Sequence, residues 1–230
     1  MMEYGHGGDI YRNRNVELDF SVNVNPLGMP NFVWEASQRS IAFCTGYPDS
    51  SCENLRGRLS EITGVPEDQM IFGNGAAELI FRLAQEGRPK KAVIPAPSFA
   101  EYETALRSCG TETAFFYLKE AESFFLNISE FLDFLRAEQP EIIFLCTPAN
   151  PTGAMIRQAD LSKILDYCKK HGILLVLDEC FVEFLDEERS CGCIREFLEW
   201  ETGRPEHGGD LFLLRAFTKT YAMAGLRLGD

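Results

Sequence analysis

From about Leu55 onward the chain alternates between short apolar runs and amphipathic segments. The runs at 70–72, 92–95, 113–118, 141–146, 173–177 and 211–217 predict strands. Those at 141–146 and 173–177 are almost continuously apolar, as strands covered on both faces are. Between the runs the apolar period changes to that of a helix. Leu55, Leu59 and Ile62 share one face, and Leu161, Ile164, Leu165 and Cys168 share another. Ser98 and Glu101 form a capping-box pattern that predicts a helix over 99–109, while Gly110 and Gly172 predict helix stops. Strand–helix alternation on this scale predicts an α/β fold with a mostly parallel sheet between two helical layers. The first fifty residues differ. They are loop-rich, with one short helical stretch near 33–42, and predict an extended amino-terminal arm (1–50) ahead of the α/β domain (51–230).

Composition narrows the function. The 230 residues are 45% hydrophobic and 25% charged, ordinary for a globular chain with one sizeable core. A net charge of −13 disfavours a nucleic-acid partner, so any phosphate recognition must be local. No apolar stretch approaches membrane-spanning length and the polar start lacks a signal peptide's apolar segment, so no membrane is expected and the cytoplasm is the default location. Eight cysteines are scattered. Cys191 and Cys193, with His207 downstream, come nearest to a metal set, but paired ligand knuckles are missing; free thiols and no metal are expected.

In open α/β sheets ligands bind beyond the carboxyl ends of the strands. After 70–72 comes Gly73-Asn74-Gly75-Ala76-Ala77-Glu78. This is either a tight glycine turn or a helix N-terminus whose free N–H groups bind an anion. Phe99 follows the second run; alone it reads as a core residue. After 141–146, two prolines and a glycine frame Asn150 rigidly, as a hydrogen bond to a fixed ligand requires; a solvated turn asparagine is the alternative. Asp178 ends a buried run, where a carboxylate is costly unless a cation or donors satisfy it. Either an arginine or lysine of the chain or a protonated ring nitrogen would serve. Lys219 lies just past the run at 211–217, with Arg227 eight residues on. Desolvation and a nearby cation make such an amine a competent Schiff-base nucleophile. Anion site, ring platform, amide, acid and amine are together the inventory that pyridoxal phosphate requires.

Eight motifs carry a family resemblance: HGGDI (6–10), DFSVNVNPLGMP (19–30), YPDSSCENLR (47–56), IFGNGAAELIF (71–81), PAPSFAEYETAL (95–106), FLCTPANPTG (144–153), LDECFVEF (177–184) and LRAFTKTYAMAGLRLG (214–229). With them the chain resembles the fold-type I pyridoxal-phosphate enzymes, within these the histidinol-phosphate aminotransferase group, and most of all its threonine-phosphate decarboxylase branch from cobalamin biosynthesis. The resemblance implies that Lys219 binds the cofactor's aldehyde and Asp178 its pyridine nitrogen. It implies Asn150 at the ring oxygen, Phe99 against the ring face, and Gly75, Ala76, Ala77, Thr218 and Arg227 around the phosphate. Tyr47 matches a tyrosine that reaches the neighbouring subunit's site, implying a homodimer. His6 and Asn23 match the arm that closes over a small phosphorylated amino-acid substrate.

Four departures qualify this. Phe181 stands where aminotransferases of the group have a tyrosine, which removes a hydrogen bond to the ring oxygen and fits the decarboxylase. Ala216 and Ala77 replace residues that usually bear hydroxyls. The family's chain also continues beyond this point, with a strand inserted into the main sheet and a smaller carboxyl-terminal domain. The 230 residues are therefore expected to be the amino-terminal part, with an unfilled slot in the sheet. The implied reaction is decarboxylation of L-threonine O-3-phosphate to an aminopropanol phosphate. The alternatives are an aminotransferase of the histidinol-phosphate or aromatic type and an inactive fragment that binds cofactor or a partner only.

Overall fold

In a computed structural model, residues 7–9, 11–185 and 211–229 are described. Five strands form one parallel sheet: β2 (Lys91–Ala96), β3 (Glu112–Tyr117), β4 (Ile142–Cys146), β5 (Leu174–Asp178) and β6 (Leu211–Leu214), in the order β3-β2-β4-β5-β6. The register sets Cys146 beside Asp178, and Asp178 beside Leu214, so three strands end at one level.

Successive side chains on these strands point to opposite faces, and each face has its own core. Val93, Ile143, Leu145, Leu175 and Leu177 pack against α5 (Ile128–Glu138) and α6 (Gln158–His171). Ala92, Ile94, Ile142, Phe144 and Val176 pack against α3 (Ala76–Gly87) and α4 (Ala100–Ser108). The three-layer α/β/α arrangement therefore follows from the doubly apolar strands. The predicted α6 face, Leu161, Ile164, Leu165 and Cys168, is fully buried. Gly172 caps this helix with φ +67°, a left-handed position natural to glycine.

Three local predictions differ. Residues 70–72 do not form a strand. The short strand is β1 (Gly73–Asn74), because its antiparallel partner β7 (Leu228–Gly229) reaches only those two residues. The run at 211–217 ends as a strand at Leu214; Ala216 then caps a one-turn helix, α7 (Phe217–Thr220). At α4 the cap is Phe99, whose side chain cannot accept a bond from the helix, so Ser98 and Glu101 do not cap it as a box.

Among the described residues β1 and β7 form a ribbon separate from the main sheet, and β6 pairs on one side only. The amino-terminal region is largely irregular up to α1 (Asn31–Ser40), one step from the predicted 33–42, and α2 (Glu53–Thr63) follows. Neither helix buries a residue. The predicted face of α2 stays open, with Leu55 and Ile62 exposed, as are Phe20, Leu27, Phe32, Trp34, Ile41 and Phe43 nearby in sequence. Among the described residues no helix is long and apolar enough to cross a membrane.

Candidate active site

A cleft of about 100 Å³ opens beyond the carboxyl ends of the strands. Its first wall is the N-terminus of α3. Gly75 caps that helix at φ 82°, ψ 162°, a region nearly closed to residues with a Cβ. Glu78, in the first helical turn, reaches back and accepts from the Asn74 backbone N–H and side-chain amide, both at 2.7 Å. These bonds, the first of them foremost, and Arg82 hold its carboxyl down at about 2. The turn is thereby locked at the start of α3, where Ala76 and Ala77 line the cleft and the first N–H groups have no partner within the helix. β7 presses so close that a Cβ on Gly229 would lie 2.5 Å from the Ala76 nitrogen. Arg227 bonds the Ala224 carbonyl through Nη1 at 3.1 Å and lays its guanidinium over Gly75. A helix N-terminus beneath a guanidinium is a built anion cradle.

Asp178 forms the floor and is 4% exposed. Its Oδ1 accepts from the Cys180 N–H at 2.9 Å and its Oδ2 from the Tyr102 hydroxyl at 2.5 Å. The internal cation that the sequence left open goes elsewhere. Arg215 binds the adjacent Glu179, with Nε and Nη2 at 3.1 and 2.9 Å from Oε2. Among the described residues no lysine or arginine forms a salt bridge with Asp178, so its charge is met by neutral donors and faces the cleft. Cys146 and Cys180 also line the cleft. Burial first, and then Asp178, pushes both thiols up, so they stay protonated and inert at neutral pH.

The remaining walls come from loops. Ala149 and Ala154 pair across the turn after β4, and Gly153, at φ +70°, returns to the Ala149 carbonyl at 2.7 Å. This holds Asn150 at the rim. Its Oδ1 accepts from Asn23 Nδ2 at 3.2 Å, which leaves its own amide N–H groups to donate. Phe99 lines the mouth, edge-on to Tyr102. Lys219 and the buried Thr218 enter from α7, and Lys219 Nζ lies 5.9 Å from the centroid of Phe181. Ala216 offers only a methyl group there.

The cleft thus brings together Lys219, Asp178, Asn150, Phe99, Ala76, Ala77, Thr218 and Arg227, with Gly75 capping the helix behind them and Asn23 bonded to its rim. It does not bring in Tyr47, which is fully exposed. His6, Cys191, Cys193 and His207 lie outside the described residues.

Two residues at the site were missed in the sequence. Tyr102 fell on the apolar face of its helix; a buried phenol's need for a partner was the available signal. Asn25 donates its backbone N–H to the Lys219 carbonyl at 3.0 Å and its Nδ2 to the Thr220 carbonyl at 2.9 Å, so the arm itself caps the helix that carries the lysine. Nothing local in the sequence marks a contact across that separation.

Comparison with known proteins decides the lineage. The family model for aminotransferase class I and II matches residues 15–229. The chain belongs to the class I and II aminotransferase family. Among relatives in that family, the threonine-phosphate decarboxylase of Salmonella typhimurium is 37% identical over 233 residues, covering 97% of this chain and 60% of that protein. The histidinol-phosphate aminotransferase structure from Clostridium acetobutylicum superimposes with a TM-score of 0.77 at 27% identity, over 92% of this chain and 59% of that one. The L-threonine-O-3-phosphate decarboxylase structure from Porphyromonas gingivalis does so with a TM-score of 0.73 at 25% identity, over 91% and 58%. The chain thus spans about 60% of the length of the class I and II relatives it matches.

Proposed function

We propose that this chain is the cofactor-holding part of a pyridoxal 5′-phosphate enzyme that decarboxylates L-threonine O-3-phosphate to an aminopropanol phosphate in cobalamin biosynthesis. The observation that supports this is the convergence of Lys219, Asp178, Asn150 and the Arg227-covered helix N-terminus on one cleft. The donor set fits the group: a cradle that a Cβ at Gly75 or Gly229 would fill, and a buried acid whose charge no cation of the described chain neutralises. When bound, the cofactor supplies an electron sink for the bond broken at the substrate Cα.

In this reading Lys219 would hold the cofactor at its aldehyde group and would move a proton at the substrate Cα. Asp178 keeps the proton on the ring nitrogen, and Asn150 donates its amide to the ring oxygen. Phe99 lies along the ring. Gly75, Ala76, Ala77, Thr218 and Arg227 hold the phosphate. Phe181 and Ala216 contribute no hydroxyl, so the ring oxygen and the phosphate each have one donor fewer, worth about 0.5–1.5 kcal/mol apiece.

The substrate's own phosphate would fall to the arm through His6 and Asn23, and its placement there would select which bond at Cα is broken. Residues 1–50 would act as that arm and 51–230 as the cofactor domain. The apolar residues exposed on the arm, α1 and α2 are what a second copy would cover, bringing Tyr47 to the neighbouring site.

A histidinol-phosphate or aromatic aminotransferase is the second reading, supported by the likeness to the Clostridium acetobutylicum enzyme. Borohydride reduction of the cofactor-loaded chain, followed by peptide mapping, tests the shared part: the phosphopyridoxyl label is expected on Lys219, and a folded chain labelled elsewhere or not at all refutes it. With the same loaded chain, carbon dioxide release from O-phospho-threonine without 2-oxoglutarate selects the decarboxylase. Glutamate-dependent amine transfer selects the aminotransferase, and a labelled Lys219 with neither activity selects a binding fragment.

A further inference from the structure

Tyr102 projects from α4 with 1% of its surface exposed. Its ring stacks on Phe144, with centroids 4.9 Å apart and planes at 19°, and meets Phe99 edge-on at 5.6 Å. The phenol is thus clamped on two sides, and its hydroxyl points at Asp178 Oδ2. Burial first, and then Asp178, pushes its ionisation up, so at neutral pH it remains a donor. An aspartate's terminal torsion is broad and is not fixed by its own rotamer. Here one oxygen is held by the N–H of Cys180, two residues on, and the other by a hydroxyl from a different element. A carboxylate has about four lone-pair sites, so donors at both ends still leave acceptor capacity toward the cleft.

We propose that Tyr102 is a positioning residue, whose hydroxyl holds the Asp178 carboxylate in the plane that presents a lone pair to a ring N–H in the cleft. The proposal rests on the pyridoxal-phosphate reading above and deepens it. A phenylalanine would fill the same space against Phe144 and Phe99. What it lacks is the hydrogen bond, and with only the Cys180 N–H left to hold it, the carboxylate is free to turn out of the plane that faces the cleft. Tyr102 lines both this cleft and an adjoining cavity of about 40 Å³, so the informative change is to phenylalanine, which keeps the ring, and not to alanine.

The test compares two ligands by fluorescence titration of the whole chain: pyridoxal phosphate and its 1-deaza analogue, in which carbon replaces the ring nitrogen. Tyr102→Phe is expected to weaken pyridoxal phosphate at least fivefold and the deaza analogue less than twofold. Equal weakening of both ligands would reveal a merely structural tyrosine, and no change in either would dismiss it from the site; each overturns the proposal. A wild-type chain that binds neither ligand, or does not prefer the ring nitrogen, overturns the function proposed for Asp178 and this inference with it. A wild-type preference kept intact in the variant overturns only the inference. Should Tyr102→Phe fail to fold, 3-fluorotyrosine at position 102 keeps the shape and strengthens the donor. A twofold or larger change in the ligand ratio then supports the role of the hydroxyl, and an unchanged ratio overturns it.

Discussion

Alanine at Gly75 should damage the anion cradle more than it damages the fold. Gly75 sits at φ 82°, ψ 162°, where a residue with a Cβ loses about 1–3 kcal/mol. The new Cβ would also lie 2.6 Å from Arg227 Nη2. An unstrained contact needs about 3.5 Å, so the guanidinium must withdraw by about 1 Å, enough to stretch a charge-assisted bond of about 2.8 Å beyond useful range. Loss of that bond costs about 1.5–3 kcal/mol, or about ten- to a hundredfold in affinity for a phosphate. Gly110→Ala is the control. Gly110 has φ +78° and nothing within 4 Å of its Cβ position, so it carries backbone strain without the steric clash. Both variants should lose stability, at about 2–4 °C in Tm per kcal/mol for a chain of this size. Only Gly75→Ala should lose affinity for pyridoxal phosphate in a fluorescence titration. Equal affinities in the two variants would show that Arg227 is not the anion's partner and would refute the cradle.

Two further outcomes follow from contacts at the same site. Because its folded value lies near 2 and its usual value is 4.5, the stabilisation from Glu78 is complete above about 4.5 and is lost as pH falls from there toward 2. Glu78→Gln should therefore flatten the fall in stability between pH 4.5 and 3 in urea melts, and parallel curves for the two proteins would contradict this. Asn25→Ala removes a side-chain bond to the Thr220 carbonyl and should cost about 0.5–1.5 kcal/mol. The readout is faster limited proteolysis between α7 and the arm, and an unaltered cleavage rate would mean that the arm does not hold α7.

The layered fold was legible because strands buried on both faces write continuous apolar runs, as at Ile142–Cys146, and because the helices between them keep their period. Errors fell where pairing or capping depends on distant chain. Residues 70–72 have the composition of a strand, but β7 aligns with Gly73 and Asn74 instead. Phe217 is apolar enough to extend β6, yet it opens the turn that delivers Lys219. At the site, Lys219, Asp178 and Asn150 were visible as residues placed just after strands. How Asp178 is satisfied was not, because its two donors come from Cys180 and from a tyrosine that the helical period assigns to the core. The open face of α2 is the reverse case: the period marks an apolar stripe, and among the described residues it stays unburied.

The order in which the cleft acquires its parts has a consequence during synthesis. A ribosome that has just completed β5 has made Asp178 and Asn150 but neither the amine nor the guanidinium, and the stretch from Asp178 to Arg227 takes about 2–10 s more at ordinary elongation rates. Until then the nascent chain lacks the two cations that, on the proposed function, would retain pyridoxal phosphate. On the proposed function, capture would follow the docking of α7 and β7, and a captured molecule would selectively stabilise that docked arrangement. Cells starved of the vitamin should then accumulate chains in which α7 and β7 are the first elements to be digested.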